Sequence, residues 1–439
     1  MTTGSARPWG RAIMLGAVLA GLAACRAPTA ESPAAGSGAT AKEAARVEAW
    51  ALPAPAGSAQ PDLALAADGD LLLSWLEPSS GKDLRLQFSR FNPGGTPPAA
   101  WSAPLTIAQR QDFFRNWADT PHVYALQDGS LWAHWLRSTG PGRMDYGVDL
   151  VRSGDGGATW TMPRLVHPAG TPGDHGFVTF WPQSADTLGI AWLDSRQKAA
   201  AGGHEGHDDG HDHAGGAAMM LRAALYDPQV AQEGEWPLDA STCDCCTTSS
   251  AMTDRGVVVV YRGRTQDEIR DTRIVRFDGV AWTAPRDVHA DDWKIAGCPV
   301  NGPVVVADGN RVWVAWYTEA GGVPEVKAAM SENAGDAFGA PVTLASGTQV
   351  LGRLGLVRSG DGLLVSWLEQ AADDSQRLVL GRYDLAWGDA ARTEVATLAA
   401  RGRASGIPRL QATADTAWLV WTDVADGAPQ LHGARVRLQ

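Results

Sequence analysis

Short apolar runs that end in an aromatic residue recur along the chain, each preceded by a polar turn. The runs end at Trp75, Trp135, Trp192, Tyr261, Trp316, Trp367 and Trp421, at intervals of 60, 57, 69, 55, 51 and 54 residues. A run that is apolar on both faces is typical of a strand buried between two layers. Seven such units predict an all-β fold, a β-propeller of seven blades, with six as the alternative if one unit is misread.

Each unit has the sequence of four strands, A to D. Strand A precedes the turn, strand B is the apolar run, strand C alternates, as in "LRLQFSRF", and strand D follows an aromatic residue and a proline, as in "WSAPLTI". The seventh unit ends after its strand C. The segment "VEAWALP" at 47–53 is predicted to supply the missing outer strand and close the ring, which would also remove an exposed sheet edge.

The N-terminal segment has the features of an export signal. Two arginines and no acid precede the apolar stretch "AIMLGAVLAGLAA", which is too short to span a bilayer as a helix and leads into Leu22-Ala23-Ala24-Cys25. This resembles a bacterial lipoprotein signal, which implies cleavage before Cys25 and acylation of its sulfur. An uncleaved anchor or an ordinary signal peptide is the alternative. Arg26 after the cysteine, in place of Asp, favours the outer membrane under the lipoprotein sorting rule.

Three regions follow from this interpretation. Residues 1–24 are the signal peptide, 25–45 are a flexible tether rich in Ala, Gly, Ser and Pro, and 46–439 are the propeller domain. A tether of this length spans roughly 25 Å. The expected location is the bacterial cell envelope, on an outer-membrane lipoprotein facing the periplasm or the cell exterior, with membrane contact through the lipid anchor only.

The overall charge restricts the partners. The formal net charge is −12, and nucleic-acid binders normally present a basic face, so no nucleic-acid partner is expected. An anionic ligand would need a local arginine cluster to overcome the overall field. We expect a monomer that binds a glycan or a small acidic ligand.

One eight-residue motif is specific. "SGDGGATW" at 153–160 matches S-x-D-x-G-x-T-W, the Asp-box of sialidase-like (BNR-repeat) propellers, through Ser153, Asp155, Gly157, Thr159 and Trp160. "SENAGDAF" at 331–338 is a degraded copy. Ser153 and Asp155 can bond backbone amides of a hairpin and Gly157 can take a positive φ, so the motif is a folding device that indicates a propeller and not catalysis.

The wider chain resembles bacterial proteins labelled sialidase-like or exo-α-sialidase, through "NWADTP", "DHGFV", "CDCC", "YRGRTQDEIRD" and "GCPVNGP". Known sialidases have six blades, a Phe/Tyr-Arg-Ile-Pro start, three arginines on the substrate carboxylate, a Tyr–Glu nucleophile pair and an acidic Asp. The Phe/Tyr-Arg-Ile-Pro start does not occur here, and seven units also depart from that family. Whether the protein is an enzyme stays open, and an exo-α-sialidase-like glycoside hydrolase is the enzymatic alternative.

The unusual residues of the chain fall on one predicted face. In a propeller the D–A and B–C loops emerge at the same end, around the central channel, and their convergence predicts a binding site. The ligand-binding candidates are Arg196, Arg262, Arg264, Asn301, Arg353 and Arg409. The catalytic candidates are Asp119, Asp194 and Glu268 as acid or base and Tyr317, or Tyr261, as nucleophile. The alternative is that the charged residues form salt bridges between loops.

Four thiols remain once Cys25 is lipidated: Cys243, Cys245, Cys246 and Cys298. The export route is oxidising, so disulfides are the default. Cys246 and Cys298 begin strand A of neighbouring blades, so a bridge from Cys298 to Cys245 or Cys246 is plausible. The alternative is a copper(I) or zinc ion on the thiolates.

A histidine-rich tract, "HEGHDDGHDH", lies in a B–C loop of the third unit. Its histidines, His204, His207, His211 and His213, are a compositional metal signal, although a Gly- and Ala-rich insert is equally typical of a surface loop without a role. No cofactor is required, with copper or zinc as the candidate. Three functions stay open: a propeller that binds or hydrolyses a glycan or other acidic ligand, a non-catalytic periplasmic binding or scaffold protein, and a copper- or zinc-binding protein.

Overall fold

Seven four-stranded antiparallel sheets form a ring in the computed structural model, which describes residues 45–95, 101–200 and 218–438. Within these ranges the one helix is α1, Arg196–Ala200. The prediction of a seven-bladed all-β propeller is confirmed, and the six-bladed alternative is wrong. Strands A, B, C and D follow each other in the chain in six sheets, because an antiparallel meander needs only short turns between neighbours.

The strands are numbered in chain order, and β1 is Arg46–Ala49. Blade 1 comprises β2 (Ala59–Leu65), β3 (Leu71–Pro78), β4 (Leu84–Phe91) and β5 (Leu105–Arg110). Blade 2 comprises β6 (His122–Ala125), β7 (Leu131–Ser138), β8 (Tyr146–Ser153) and β9 (Arg164–Leu165). Blade 3 comprises β10 (His175–Pro182), β11 (Leu188–Asp194), β12 (Met219–Tyr226) and β13 (Gln232–Thr242).

Blade 4 comprises β14 (Ser249–Thr253), β15 (Gly256–Arg262), β16 (Thr272–Phe277) and β17 (Arg286–Asp287). Blade 5 comprises β18 (Val304–Asp308), β19 (Arg311–Thr318), β20 (Glu325–Ser331) and β21 (Val342–Ser346). Blade 6 comprises β22 (Val350–Ser359), β23 (Gly362–Gln370), β24 (Gln376–Asp384) and β25 (Ala391–Leu398). Blade 7 comprises β26 (Arg409–Thr413), β27 (Thr416–Ala425) and β28 (Ala428–Arg437), with β1 as its outer strand.

The N-terminal strand closes the ring as predicted. β1 pairs with β28 in antiparallel register, from Arg46 opposite Arg437 to Ala49 opposite Ala434. The strand starts one residue before the predicted segment and ends at Ala49, because Trp50 turns inward. The Trp50 ring lies 4.9 Å from Phe91 and 4.7 Å from Trp418 between ring centroids, so it packs blade 7 against blade 1.

The aromatic residues that end strand B are at most 6% exposed, and three of their indole N–H groups bond to an acid two residues later. Trp75 donates to Glu77, Trp192 to Asp194 and Trp367 to Glu369, each at 2.8 Å. A buried N–H needs an acceptor, and a buried carboxylate in turn needs a cation. Arginines supply that cation in all three blades: Arg85, Arg196 and Arg392. The Trp-x-acid pattern therefore satisfies polar groups inside the blades.

The outer strands are shorter than the pattern "WTMPRLV" or "WTAPRDV" suggests. β9 and β17 have only two residues each. In blade 4 the sequence "IRDTRIVRF" at 269–277 suggests a longer strand C, but β16 begins only at Thr272. The reason is that Arg270 and Asp271 lie in the loop, where their polar groups bond to neighbouring loops and not to a sheet.

The Asp-box sequence forms the turn after β8. The Ser153 hydroxyl lies 2.8 Å from an Asp155 oxygen and accepts the Gly157 N–H at 2.8 Å, and Asp155 also accepts the Thr159 N–H and hydroxyl at 2.9 and 2.6 Å. Gly157 has φ +94°, and a Cβ there would lie 2.3 Å from the Phe88 ring, so glycine is required. The degraded copy uses Ser331 and Asn333 in the same way.

Several predictions concern residues outside the described ranges. The signal peptide at 1–24, almost all of the tether at 25–45, and the acylation site Cys25 lie outside the described residues and stay predictions. Across the described part of the chain, no helix is long and apolar enough to cross a membrane.

Replacing Trp50 tests how strongly the N-terminal segment holds the ring. Trp50→Ala removes a buried indole (7% exposed) from the contact between blades 7 and 1, and we expect it to lower the free energy of unfolding by about 3–5 kcal/mol. Met162→Ala, at a residue 87% exposed, is the control and should change it by less than about 0.5 kcal/mol. Urea unfolding followed by tryptophan fluorescence measures both, and equal midpoints would contradict the closure described here.

Candidate functional site

Loops from three consecutive blades are bonded to each other at one end of the channel. The Arg353 N–H donates to the Asn301 side-chain oxygen at 2.7 Å, and the Asn301 carbonyl accepts from Arg262 at 2.9 Å. Arg262 also donates to the carbonyl of Arg270, whose guanidinium lies 3.3 Å from the Cys243 sulfur. The structure thus brings the predicted arginines, Asn301 and the cysteines to one face, which we call the loop face.

The Arg262 guanidinium links blades 4 and 5 through hydrogen bonds. It is 2% exposed and donates to the carbonyls of Arg270, Asn301 and Tyr317, the shortest bond to each being 2.6, 2.9 and 2.7 Å. Its flat face lies 4.9 Å from the centroid of the Trp293 ring. Five N–H donors in a rigid fork suit this bridging of several carbonyls. Its side chain is therefore already bonded on all sides within the protein.

Arg353 and Arg409 bond neighbouring loops in the same manner. Arg353 donates to the Ser405 hydroxyl at 2.6 Å and the Gly402 carbonyl at 2.7 Å, and burial, with Arg403 nearby, lowers its pKa to about 10. Arg409 donates to the Thr120 hydroxyl and lies 3.6 Å from an Asp62 oxygen. Each arginine therefore links its own blade to a loop of another.

Two of the predicted acids lie in ion pairs. Asp194 is fully buried; burial opposes its ionisation, but the His175 ring, 3.4 Å away, and hydrogen bonds from Arg196 keep its pKa well below the ordinary value. Burial likewise opposes ionisation of Glu268, whose pKa Arg264 and Arg270 nevertheless lower through hydrogen bonds of 2.6 and 2.7 Å. Both carboxylates are thus held as anions by arginines. Arg196 also pairs with Glu235, at 2.9 Å.

Asp119 differs from these acids because burial keeps it protonated to higher pH. It is 2% exposed and lines a cavity of about 390 Å³ in the channel, together with His122 and Arg409. Burial raises its pKa to about 7, opposed by the Phe177 N–H, which donates at 2.6 Å, and by Arg409. A carboxyl that titrates near neutral pH can act as an acid.

Tyr317 lies in the wall of the loop face and not in the channel cavity. It is 8% exposed, its ring packs edge-on against Trp293 at 5.6 Å, and burial, with Glu319 nearby, raises its pKa to about 12. The hydroxyl therefore stays protonated near neutral pH. Tyr261 is fully buried and donates to Asp239 at 2.7 Å.

A second cavity, which the sequence did not reveal, lies on the other side of the loop that carries Asp119. It has a volume of about 400 Å³ between blades 1, 2 and 7, with Leu76, Leu84 and Ile407 in its walls. Its polar lining includes Gln60, Arg115 and Trp117. The segment "FRNWADTP" contains Arg115 and Trp117. An exposed arginine and a half-buried tryptophan in a loop follow no periodic spacing, so the sequence does not indicate that they line a cavity.

Two polar groups of this cavity differ from the others on the loop face, because they lack partners among the described residues. Arg115 is exposed and has no hydrogen-bond or ion-pair partner within the described ranges. Gln60 donates to the Asn116 carbonyl at 2.5 Å, but its buried side-chain oxygen has no donor among the described residues. Arg115 is therefore the cation of this lining, whose carboxylate, Glu77, is already paired with Arg85, and the buried Gln60 oxygen lacks a donor.

The four thiols converge at the base of two D–A loops. The Cys243 sulfur lies 3.9 Å from that of Cys245 and 3.6 Å from that of Cys246, and the Cys298 thiol lies nearby on the neighbouring loop. All four are unbridged thiols. Hydrogen bonds from Cys245 and Cys246 hold the Cys243 pKa well below its ordinary value, and burial raises that of Cys246 to about 12. The predicted disulfides remain a prediction.

The four histidines of the metal hypothesis, His204, His207, His211 and His213, lie outside the described residues. The chain enters that tract through α1. In α1, Lys198 donates at 2.8 Å to Asp244, which lies between Cys243 and Cys245 in the sequence.

No protein-family model and no curated protein matches this chain. Among solved structures, polysaccharide lyase Uly1 is similar with a TM-score of 0.50 at 10% identity, over 87% of this chain and 90% of that one. The phage phi92 endosialidase gives 0.48 at 10% identity over 90% and 69% of the two chains. A protein of unknown function from Dyadobacter fermentans gives 0.47 at 14% identity over 75% and 97%. At these identities the likeness concerns the β-propeller fold alone.

The raised pKa of Asp119 predicts a pH dependence of stability. Between its unfolded value of 3.8 and its folded value of about 7, the folded state binds more protons, so this group makes stability fall as the pH rises. Asp119→Asn removes the effect and keeps an acceptor for the Phe177 N–H. We expect wild type to lose up to about 4 kcal/mol relative to Asp119→Asn between about pH 4 and pH 8, at about 1.4 kcal/mol per pKa unit.

Urea unfolding at the two pH values measures this difference. Asp361→Asn, in an exposed turn, is the control and should follow wild type at both. A constant difference between wild type and Asp119→Asn across the range would show that folding does not raise the pKa of Asp119.

Proposed function

We propose that this propeller binds an acidic saccharide on its loop face, in the cavity between blades 1, 2 and 7. The observation that carries the proposal is the Arg115 guanidinium, which lines the cavity without an internal anionic partner in the described part of the chain. A guanidinium is the group best suited to hold a carboxylate or sulfate through two parallel hydrogen bonds. The cavity volume of about 400 Å³ is in the range of small-ligand sites.

The remaining lining fits a sugar ring. The buried Gln60 oxygen would accept from a ligand hydroxyl, and the apolar walls at Leu76, Leu84 and Ile407 would cover the C–H face of a ring. The ligand class follows from these three requirements together: an anion, a hydroxyl donor and an apolar face.

The arginines predicted from the sequence as ligand-binding residues have a structural role in this proposal. Arg262, Arg353 and Arg409 already bond to carbonyls and hydroxyls of other loops, so they shape the loop face and Arg115 takes the ligand. The proposal is for binding, because Asp194 and Glu268 are held as anions in ion pairs and Asp119 faces the other cavity. We include in it the lipid anchor at Cys25, the outer-membrane location and the monomer.

The structural neighbours enter the proposal with limited weight. One of them is named a polysaccharide lyase and another an endosialidase, which agrees with a saccharide ligand. Because their likeness is one of fold, the ligand class here depends on the cavity.

Calorimetric titration with galacturonic acid oligosaccharides, 3′-sialyllactose and neutral lactose tests the proposal. We expect an acidic probe to bind at least tenfold more tightly than lactose, and Arg115→Ala to weaken that binding about tenfold or more, since a charge-assisted hydrogen bond contributes about 1.5–3 kcal/mol. Binding should weaken with added salt.

Arg437→Ala is the matched control, because it removes the same charge from an exposed arginine at the far end of β28. It should leave affinity unchanged. Equal binding of acidic and neutral probes, or an unchanged affinity in Arg115→Ala, would refute the proposal, and so would the absence of binding by either acidic probe.

A further inference from the structure

The four cysteines on the loop face form one cluster although the sequence separates them. Cys243 and Cys246 are buried, at 0% and 1% exposure, and Cys245 and Cys298 are half-buried. The first three come from the loop between β13 and β14, and Cys298 comes from the loop between β17 and β18. The fold places these two loops side by side, because they enter neighbouring blades.

The sulfur–sulfur separations suit a shared ion. Tetrahedral zinc thiolate sites have Zn–S bonds of about 2.3 Å, which places the sulfurs about 3.8 Å apart. The Cys243 sulfur lies 3.9 and 3.6 Å from those of Cys245 and Cys246, and the ligand atoms of these three residues all lie within 4.8 Å of one another. The Cys298 thiol, on the adjoining loop, lies near these sulfurs and would complete the set when the ion binds.

The charges around the sulfurs favour anionic thiolates. Four cations surround the cluster: Lys198, Arg262, Arg264 and Arg270, none of them more than 13% exposed. Two carboxylates, Asp244 and Glu268, bond to these cations, and the buried Asp174 lies near Lys198, so the excess is at least one positive charge, four minus three. Arg270 is fully buried and donates directly to the Cys243 sulfur at 3.3 Å. A buried guanidinium beside a sulfur stabilises the thiolate.

Asp244 is held away from the ion position. Although it lies between Cys243 and Cys245 in sequence, its carboxylate bonds to Lys198 at 2.8 Å and approaches Arg264 at 3.6 Å. The donor set is therefore sulfur alone, which selects thiophilic ions over hard cations such as Mg²⁺ and Ca²⁺.

We propose that Cys243, Cys245, Cys246 and Cys298 bind one thiophilic d¹⁰ metal ion, zinc(II) or copper(I), at the loop face. The half-buried Cys245 and Cys298 give the ion access, and the buried Cys243 and Cys246 anchor it. Because three of the four sulfurs already lie within 4.8 Å of one another, these three need little rearrangement to bind the ion. The site is separate from the saccharide cavity and does not depend on it.

Metal titration of the reduced, full-length chain under anaerobic conditions tests the proposal. The chain carries Cys25→Ser, and alanine replaces His204, His207, His211 and His213, so that only the four thiols are tested. Zinc(II) is titrated against a chromophoric chelator and copper(I) against bicinchoninate. We expect one ion per chain, and cobalt(II) in its place should give the sulfur-to-metal charge-transfer band and intense d–d bands of a tetrahedral thiolate site.

Single substitutions separate the cluster from other sulfurs. Cys245→Ser and Cys298→Ser, at the half-buried positions, should each lower affinity at least a hundredfold with an unchanged circular dichroism spectrum. Met252→Ala removes a sulfur from the adjoining strand β14 and is the matched control, with unchanged affinity expected. If a serine variant does not fold, alkylation of the parent chain gives the same information, since bound metal should protect all four thiols from iodoacetamide.

Several outcomes would overturn the proposal. They are binding of neither ion by the reduced chain, affinity that survives both serine substitutions, and equal alkylation with and without metal. The proposal would also be overturned if the reduced chain formed two disulfides as fast with metal as without it. The four thiols would then be established as the partners of two disulfide bonds.

Discussion

The structure depends on strands that are apolar on both faces. Strand B of each blade carries a large aromatic residue that is almost completely buried, so each sheet must be covered by another sheet on both sides. A row of such sheets would leave a bare face at each end, and closing the row into a ring removes both. The pairing of β1 with β28, reinforced by Trp50 between blades 7 and 1, completes that closure. The first strand of the domain is therefore needed to finish the last blade.

The loops between the buried strands contain polar backbone groups that need hydrogen-bond partners, and arginine side chains supply them. The loop carbonyls near the channel lie outside any sheet and need donors. Arg262 supplies four hydrogen bonds to three carbonyls, and Arg353 and Arg409 do the same work on other loops. The consequence for function is that a cluster of arginines on a propeller face is not by itself an anion site. The guanidinium that matters for a ligand is one such as Arg115, which the described residues leave without a partner.

The loop face combines two chemistries that are independent of each other. One is a cavity with an arginine, a buried acceptor and apolar walls, suited to an acidic sugar. The other is a sulfur cluster surrounded by buried cations, suited to a thiophilic ion. Both arise from the same architectural fact, since a ring brings the D–A loops of successive blades to one end. Loops 55 residues apart in sequence, at Cys243 and Cys298, thereby meet.

The number of blades, the B strands and the closing strand could be predicted from the sequence alone, because burial between blades imposes a local pattern on residues such as Trp75 and Trp367. The gathering of Asn301, Arg353 and the cysteines on one face was also predictable, because loop order fixes which end each loop occupies. What each side chain bonds to was not. Asp194, Glu268 and Arg262 have the same sequence features whether they face a ligand or a neighbouring loop. Only the packing of the blades turns these side chains toward neighbouring loops. Arg115, Gln60 and the depth of their cavity likewise depended on how three blades meet, and a contact of that kind leaves no periodic mark on the chain.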